Sequence, residues 1–175
     1  MITILRYEQS YKAVWDQFID DSKNGTFMLK RDYMEYHADR FMDYSLMFYN
    51  ENKIVALLPA SVHDLEVRSH GGLTYGGIVI NRKATTQLLL EVFDALLNYL
   101  KKDNKDTLIY KRIPQIYYNY PSDEDLYALF MHNAHLKKRT ISSTVYLKDR
   151  INFNERRRRN IKKAVKAGLV VKQSD

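Results

Sequence analysis

Apolar and polar residues alternate over Ile2–Arg6, which predicts a short first strand. Val14, Trp15, Phe18 and Ile19 then recur at helical spacing within residues 11–19, and Gly25 follows as a helix C-cap. The second half of residues 26–41 predicts a short helix with Tyr33, Tyr36, His37 and Arg40 on one face. Two strand-like runs, 45–49 and 53–61, flank Asn50-Glu51-Asn52 as a hairpin, with Pro59 at a strand end. Residues 65–69 and 73–80 supply two more strands around a turn at His70-Gly71-Gly72. An amphipathic helix spans 85–102, and a strand over 107–113 stops at Pro114. Ser122 would cap the next helix, whose first turn holds Asp123, Glu124 and Asp125. A strand over 138–147, a basic helix opened by Asn154 and closed by Gly168, and the start of a strand at 169–172 complete the chain.

The order β-α-α-β-β-β-α-β-α-β-α-β predicts an α/β domain, with a mixed, mostly antiparallel sheet flanked by helices. Within it, 71–80 (GGLTYGGIVI) and the helix after it make a strand–turn–helix unit. Such junctions often receive phosphate-bearing ligands, because the first N–H groups of a helix are unpaired. Here the turn reads Asn81-Arg82-Lys83-Ala84-Thr85-Thr86 and holds no glycine to let a pyrophosphate approach the backbone.

The chain carries a net charge of +7, unevenly placed. Residues 137–175 contribute +10 and residues 1–136 contribute −3. One basic region, not a basic surface, therefore faces an anionic partner. No cysteine is present, so disulfides and thiolate zinc sites are excluded. With no signal-peptide pattern and no apolar run of membrane-spanning length, the expected compartment is the cytoplasm.

Several residues are candidates for chemistry. Arg31, Tyr33, Tyr36 and His37, with Arg40, offer cations, phenols and an imidazole that would grip a phosphate or carboxylate, although Asp32, Glu35, Asp39 and Asp43 could equally pair the arginines. His37 is the candidate general base by its near-neutral pKa. Tyr75, beside Thr74 and Gly76-Gly77, sits where small neighbours let a ligand approach, or where a tight turn or bulge is built. Lys111, Arg112 and Tyr117 flank a strand end where ligand contacts concentrate in open α/β sheets. Arg157, Arg158 and Lys162 in the basic helix are candidate anion contacts. Histidine spacing suggests no metal site.

Several segments in order resemble the Fem-like branch of the GNAT acyltransferases, the FemAB-type acyl- and aminoacyltransferases. They are Asn24-Gly25-Thr26-Phe27 with Arg31-Asp32-Tyr33, His70 to Gly77, Lys111-Arg112-Ile113-Pro114, Ser142-Ser143 and the basic stretch RRRRNIKKAVKAGL. The resemblance implies a GNAT-like domain over 1–152. It also implies that 153–175, a basic helix and the start of a strand, leads toward a second GNAT-like half. It further implies an acceptor on a cell-envelope precursor or sugar, bound by this half. No cofactor is expected in this chain; acyl-CoA or aminoacyl-tRNA would be the donor for the whole enzyme, with tRNA contact as a further expectation. The alternative is a non-catalytic module that holds nucleic acid or another polyanion through the basic helix.

Overall fold

The computed structural model describes residues 1–36, 38–141, 143 and 145–173. The chain divides into two compact units, Met1–His135 and Leu136–Asp175. His37, the candidate base, and Ser142 lie outside the described residues.

The first unit has the α/β class expected of it. One sheet runs in the order β1 (Ile2–Arg6), β3 (Leu46–Asn50), β4 (Lys53–Leu58) and β7 (Val79–Ile80), every pair antiparallel. A second runs β2 (Met42–Asp43), β5 (Ser61–His63), β6 (Glu66–Arg68) and β8 (Thr107–Ile109), where only the last pair is parallel. The runs in β3 and β4 are apolar on both faces because both faces of the first sheet are covered. Leu46, Phe48, Ala56 and Leu58 join one core with Leu89, Val92, Phe93 and Leu96 of α3 (Thr86–Lys102). Met47, Leu57 and Val79 point the other way, into a core with Trp15 and Ile19 of α1 (Lys12–Asp21) and Met34 of α2 (Arg31–Glu35). A three-layer packing results, with α4 (Glu124–Met131) placing Ala128 in the first core.

Several boundaries differ from expectation for local reasons. Gly25 caps no helix: α1 ends at Ser22, and a Cβ at Gly25 would collide with the Ile19 carbonyl and the Ser22 hydroxyl. Only Val79–Ile80 of the 73–80 run is strand. Ahead of it, side chains take the place of a ladder. Asn24 donates to the Ile78 carbonyl (2.9 Å) and accepts from Ile80 N–H (3.0 Å), and Ile78 N–H donates to the Tyr110 hydroxyl (2.9 Å). Strand β8 likewise ends at Ile109. Ser122 does not cap α4; Asp123 holds the cap position and the Ser122 hydroxyl donates to Glu124.

In the second unit, α5 (Glu155–Lys166) opens as expected: Asn154 accepts from Arg157 N–H at 3.0 Å. It closes on Gly168 at φ +74°. Leu169 N–H bonds Ala164 O and Gly168 N–H bonds Val165 O, a Schellman end. No strand forms among the described residues of 138–147 or over 169–172, where every described side chain is exposed. Strand propensity without a pairing neighbour does not hold an extended ladder. No helix among the described residues is long and apolar enough to cross a membrane.

Candidate functional site: an aromatic hollow beside a closed helix junction

Residues 26–36 fold back over α1 because Trp15 donates to the Leu29 carbonyl (2.9 Å) and Asp16 accepts from Arg31 N–H (2.8 Å). That places Phe27, Lys30, Asp32, Tyr33 and Tyr36 around an open hollow of about 650 Å³. The Phe27 and Tyr33 rings stand edge to face, 5.4 Å apart and at 90°. Tyr75 adjoins this segment, its hydroxyl donating to Thr26 at 3.1 Å and its ring 5.4 Å from that of Tyr117. Burial raises the Tyr75 pKa, with the Thr26 bond opposing it. Tyr75 is therefore a buried, neutral hydroxyl engaged with Thr26 that cannot act as a base near pH 7.

Arg31 does not face the hollow. Its guanidinium is 3% exposed and bonds Asp43 (2.6 Å), Glu35 (3.2 Å) and the Ser45 hydroxyl (3.1 Å). It lies 3.6 Å over the Tyr7 ring. Each of its three nitrogens donates to a partner within the chain. Helix α2 stops at Glu35, so Arg40 shares no helical face with Tyr33 and is paired with Asp39 at 3.5 Å.

Lys111 and Arg112, just past the end of β8, diverge. The Lys111 ammonium turns inward to the Leu73 carbonyl, and burial, reinforced by Arg68, lowers its pKa. Arg112 bonds Asp125 (3.1 Å), Asp123 (2.6 Å) and the Ser122 carbonyl (3.0 Å), tying the strand end to α4. Behind it, burial together with Asp125 raises the Tyr118 pKa to about 12 and also pushes that of Tyr110 well above its ordinary value. Of the sequence candidates in this unit, the fold gathers Tyr33 and Tyr36 at the hollow with Tyr75 and Tyr117 adjoining. Arg31, Lys111 and Arg112 serve internal networks.

The residues missed from sequence are Phe27, Lys30 and Asp32, which line the hollow, and Thr26, which fixes Tyr75. Asn24-Gly25-Thr26-Phe27 stood out as a motif, but its geometry depends on Asn24 bridging to β7, a contact 54 residues away in the chain. No periodicity announces such a contact.

At the β7–α3 junction, two backbone N–H groups and the nearby Lys23 ammonium are already engaged. The Asn81 side chain accepts from Lys83 N–H (2.9 Å), and the Thr85 hydroxyl accepts from Leu88 N–H (3.3 Å). Lys23 donates to the Ala84 carbonyl (2.9 Å) and pairs with Glu124 at 2.5 Å. Burial would raise the Glu124 pKa, but hydrogen bonds from Lys23 and Ser122 win and hold it low. A fixed carboxylate and an occupied ammonium do not fit a coenzyme pyrophosphate. Among the described residues no cluster of three or more histidines and carboxylates gathers as a metal site.

In the second unit, Arg157 and Lys162 stand exposed on α5, and Arg158 donates to its own chain at the Phe153 carbonyl (2.8 Å).

No protein-family model matches the chain. No curated protein matches it either. Among solved structures, it is similar to the ribosomal-protein-S18-alanine N-acetyltransferase of Escherichia coli, with 15% identity and a TM-score of 0.43 over 62% of this chain and 64% of that one. It thus spans less than two thirds of the length of that enzyme. It is also similar to a possible acetyltransferase from Clostridium difficile 630, with 11% identity and a TM-score of 0.47 over 83% of this chain and 99% of that one.

Proposed function

We propose that this chain is the acceptor-binding, N-terminal GNAT-like half of a Fem-like acyl- or aminoacyltransferase. Its acceptor is an amine or hydroxyl on a cell-envelope or sugar precursor. A second GNAT-like half completes the enzyme, and acyl-CoA or aminoacyl-tRNA serves as donor there. The observation behind this reading is an asymmetry within the first unit. An aromatic hollow is open to a ligand, while the junction that would hold a coenzyme pyrophosphate is closed by Lys23, Glu124 and Asn81.

Attack of an acceptor on a thioester or aminoacyl ester depends mainly on positioning and on stabilising the oxyanion. This chain supplies the positioning. Tyr33 and Tyr36 provide ring faces, and Tyr75, bonded to Thr26, steadies the chain beside Phe27 of the same wall. Lys111 has a lowered pKa, but its nitrogen donates to the Leu73 carbonyl and reaches no ligand in this arrangement. The chain alone is therefore expected to bind without turnover. The test is a titration of acetyl-CoA followed by NMR, with a parallel assay for thiol release in the presence of amino sugars. Neither saturable shifts at the α3 start nor enzyme-like thiol release is expected; either one overturns the reading.

A second reading has its own observation. The cations of α5, among them Arg157 and Lys162, lie on a helix with no buried side chain and suit generic contact with phosphates. RNA or heparin binding that weakens steeply with salt supports it. No binding at low salt ends it.

A further inference from the structure

The hollow at Phe27, Tyr33 and Tyr36 has a charge balance that narrows its ligand. Asp32 lines it and lies 3.0 Å from the Lys12 ammonium, which is also 3.0 Å from Asp16. Two carboxylates share one cation. The other lining cation, Lys30, is matched by Asp20 at 2.8 Å. The one guanidinium of the segment, Arg31, is turned away and buried. With Lys12, Asp16 and Asp32 counted together with the Lys30–Asp20 pair, the hollow and its immediate ion-pair partners carry one negative charge in excess. The walls of the hollow are aromatic rings whose faces are themselves electronegative. An anion, the ligand expected of this segment from sequence, would meet repulsion here. A neutral sugar ring could stack and donate a hydroxyl to the Asp32 carboxylate, but would leave the excess charge uncompensated.

We propose that this hollow binds an alkylammonium group, held against the Phe27, Tyr33 and Tyr36 rings and drawn by the Asp32 carboxylate. The inference deepens the acceptor-binding reading and rests on it for the role of the ligand, though not for the binding itself. A cation held by ring faces and a carboxylate is stabilised in its charged form, so an amine bound there keeps its proton and is no nucleophile. The hollow thus grips a cationic handle of the acceptor, and the atom that attacks is another one on the same molecule.

Choline is the probe, with 3,3-dimethylbutan-1-ol as its uncharged isostere and methyl N-acetylglucosaminide as the neutral ring, each titrated into the full chain and followed by aromatic NMR. Choline is expected to shift the Phe27, Tyr33 and Tyr36 ring signals saturably with a Kd of about millimolar. The isostere is expected to bind at least about tenfold more weakly, as attraction of a cation to ring faces and a carboxylate requires. Asp32→Asn should weaken choline severalfold and leave the isostere unchanged. Tyr36→Leu should abolish the shifts while the amide spectrum stays folded, since that ring is 79% exposed. Equal binding of choline and its isostere, tighter binding of the glycoside at the same rings, or no saturation with choline overturns the proposal. Because none of these titrations involves coenzyme A or turnover, their failure is distinct from failure of the transferase reading.

Discussion

Arginine behaves in opposite ways in the two units of this protein. In Met1–His135, Arg31 is sealed under Tyr7 and answered by two carboxylates and a serine. In Leu136–Asp175, Arg159 pairs with Glu155 at 3.5 Å, and both side chains are about three-quarters exposed or more. The first unit encloses this charge within a core; no described residue of the second is buried at all. Charge in a sequence therefore says little until burial assigns it a role. A buried guanidinium organises structure, and an exposed one remains available to a partner.

The sharpest way to break this contrast is Arg31→Met. Removing one member of a buried pair leaves charge without compensation, which costs about 3–5 kcal/mol. Asp43 and Glu35 retain roughly a third of their exposure, so the loss should fall near the low end of that range. Urea unfolding would read it. Arg159→Ala in the other unit should move the same midpoint by no measurable amount. If Arg31→Met unfolds no more easily than Arg159→Ala, Arg31 is not a structural residue.

Two glycines extend the comparison to the backbone. A Cβ at Gly76 would drive into the Ser69 carbonyl, so Gly76→Ala should cost about 1–3 kcal/mol by overpacking. Gly168 has open space around it but sits at φ +74°. Gly168→Ala should cost about 1 kcal/mol of left-handed strain. That loss should appear as fraying of the last turn of α5 in amide exchange, with no change in the urea midpoint. A fall in the midpoint equal to that of Gly76→Ala would show that the second unit is packed after all.

What the sequence disclosed follows the same line. Strand β1, the β3–β4 hairpin, helix α3 and the Asn154 cap were all legible, because each is set by local periodicity or a cap within a few residues. Residues 138–147 had the composition of a strand and formed none among their described residues, since a strand is completed by a partner that composition does not encode. At the candidate site, Tyr33 and Tyr36 could be read only as phenols of one short helical face, and Tyr75 as a phenol beside glycines. Arg31 could be read equally as a ligand contact or as a partner of nearby carboxylates such as Glu35 and Asp43. The pairing is what forms, and its burial under Tyr7 beside Ser45, both distant in sequence, could not be read in advance. Asp32, noted only as an ion-pair partner, became a candidate ligand once Lys12 was seen to serve two carboxylates.

The smallest expected effect concerns a charge at the border between these regimes. His132 ends α4, with one ring nitrogen 2.7 Å from the Ala128 carbonyl and the other 2.9 Å from Asp94, and its ring stacks on Phe93 at 5.7 Å. The hydrogen bond to Asp94 raises its pKa against the opposing pull of burial. A group whose pKa is raised by folding stabilises the native state most below its unfolded value, about 6.5. That contribution fades as pH rises through the higher folded value. Asp94 is 69% exposed, so screening should hold the effect to about half a kcal/mol. Comparing urea midpoints at pH 5.5 and 8.5 for the wild type and Asp94→Asn isolates it, because the other titrating groups cancel in the double difference. The wild type should lose more stability on going to the higher pH than the variant does. If the two lose equally, the imidazole gains nothing from Asp94, and His132 behaves like the solvated charges of the second unit despite its place on the core.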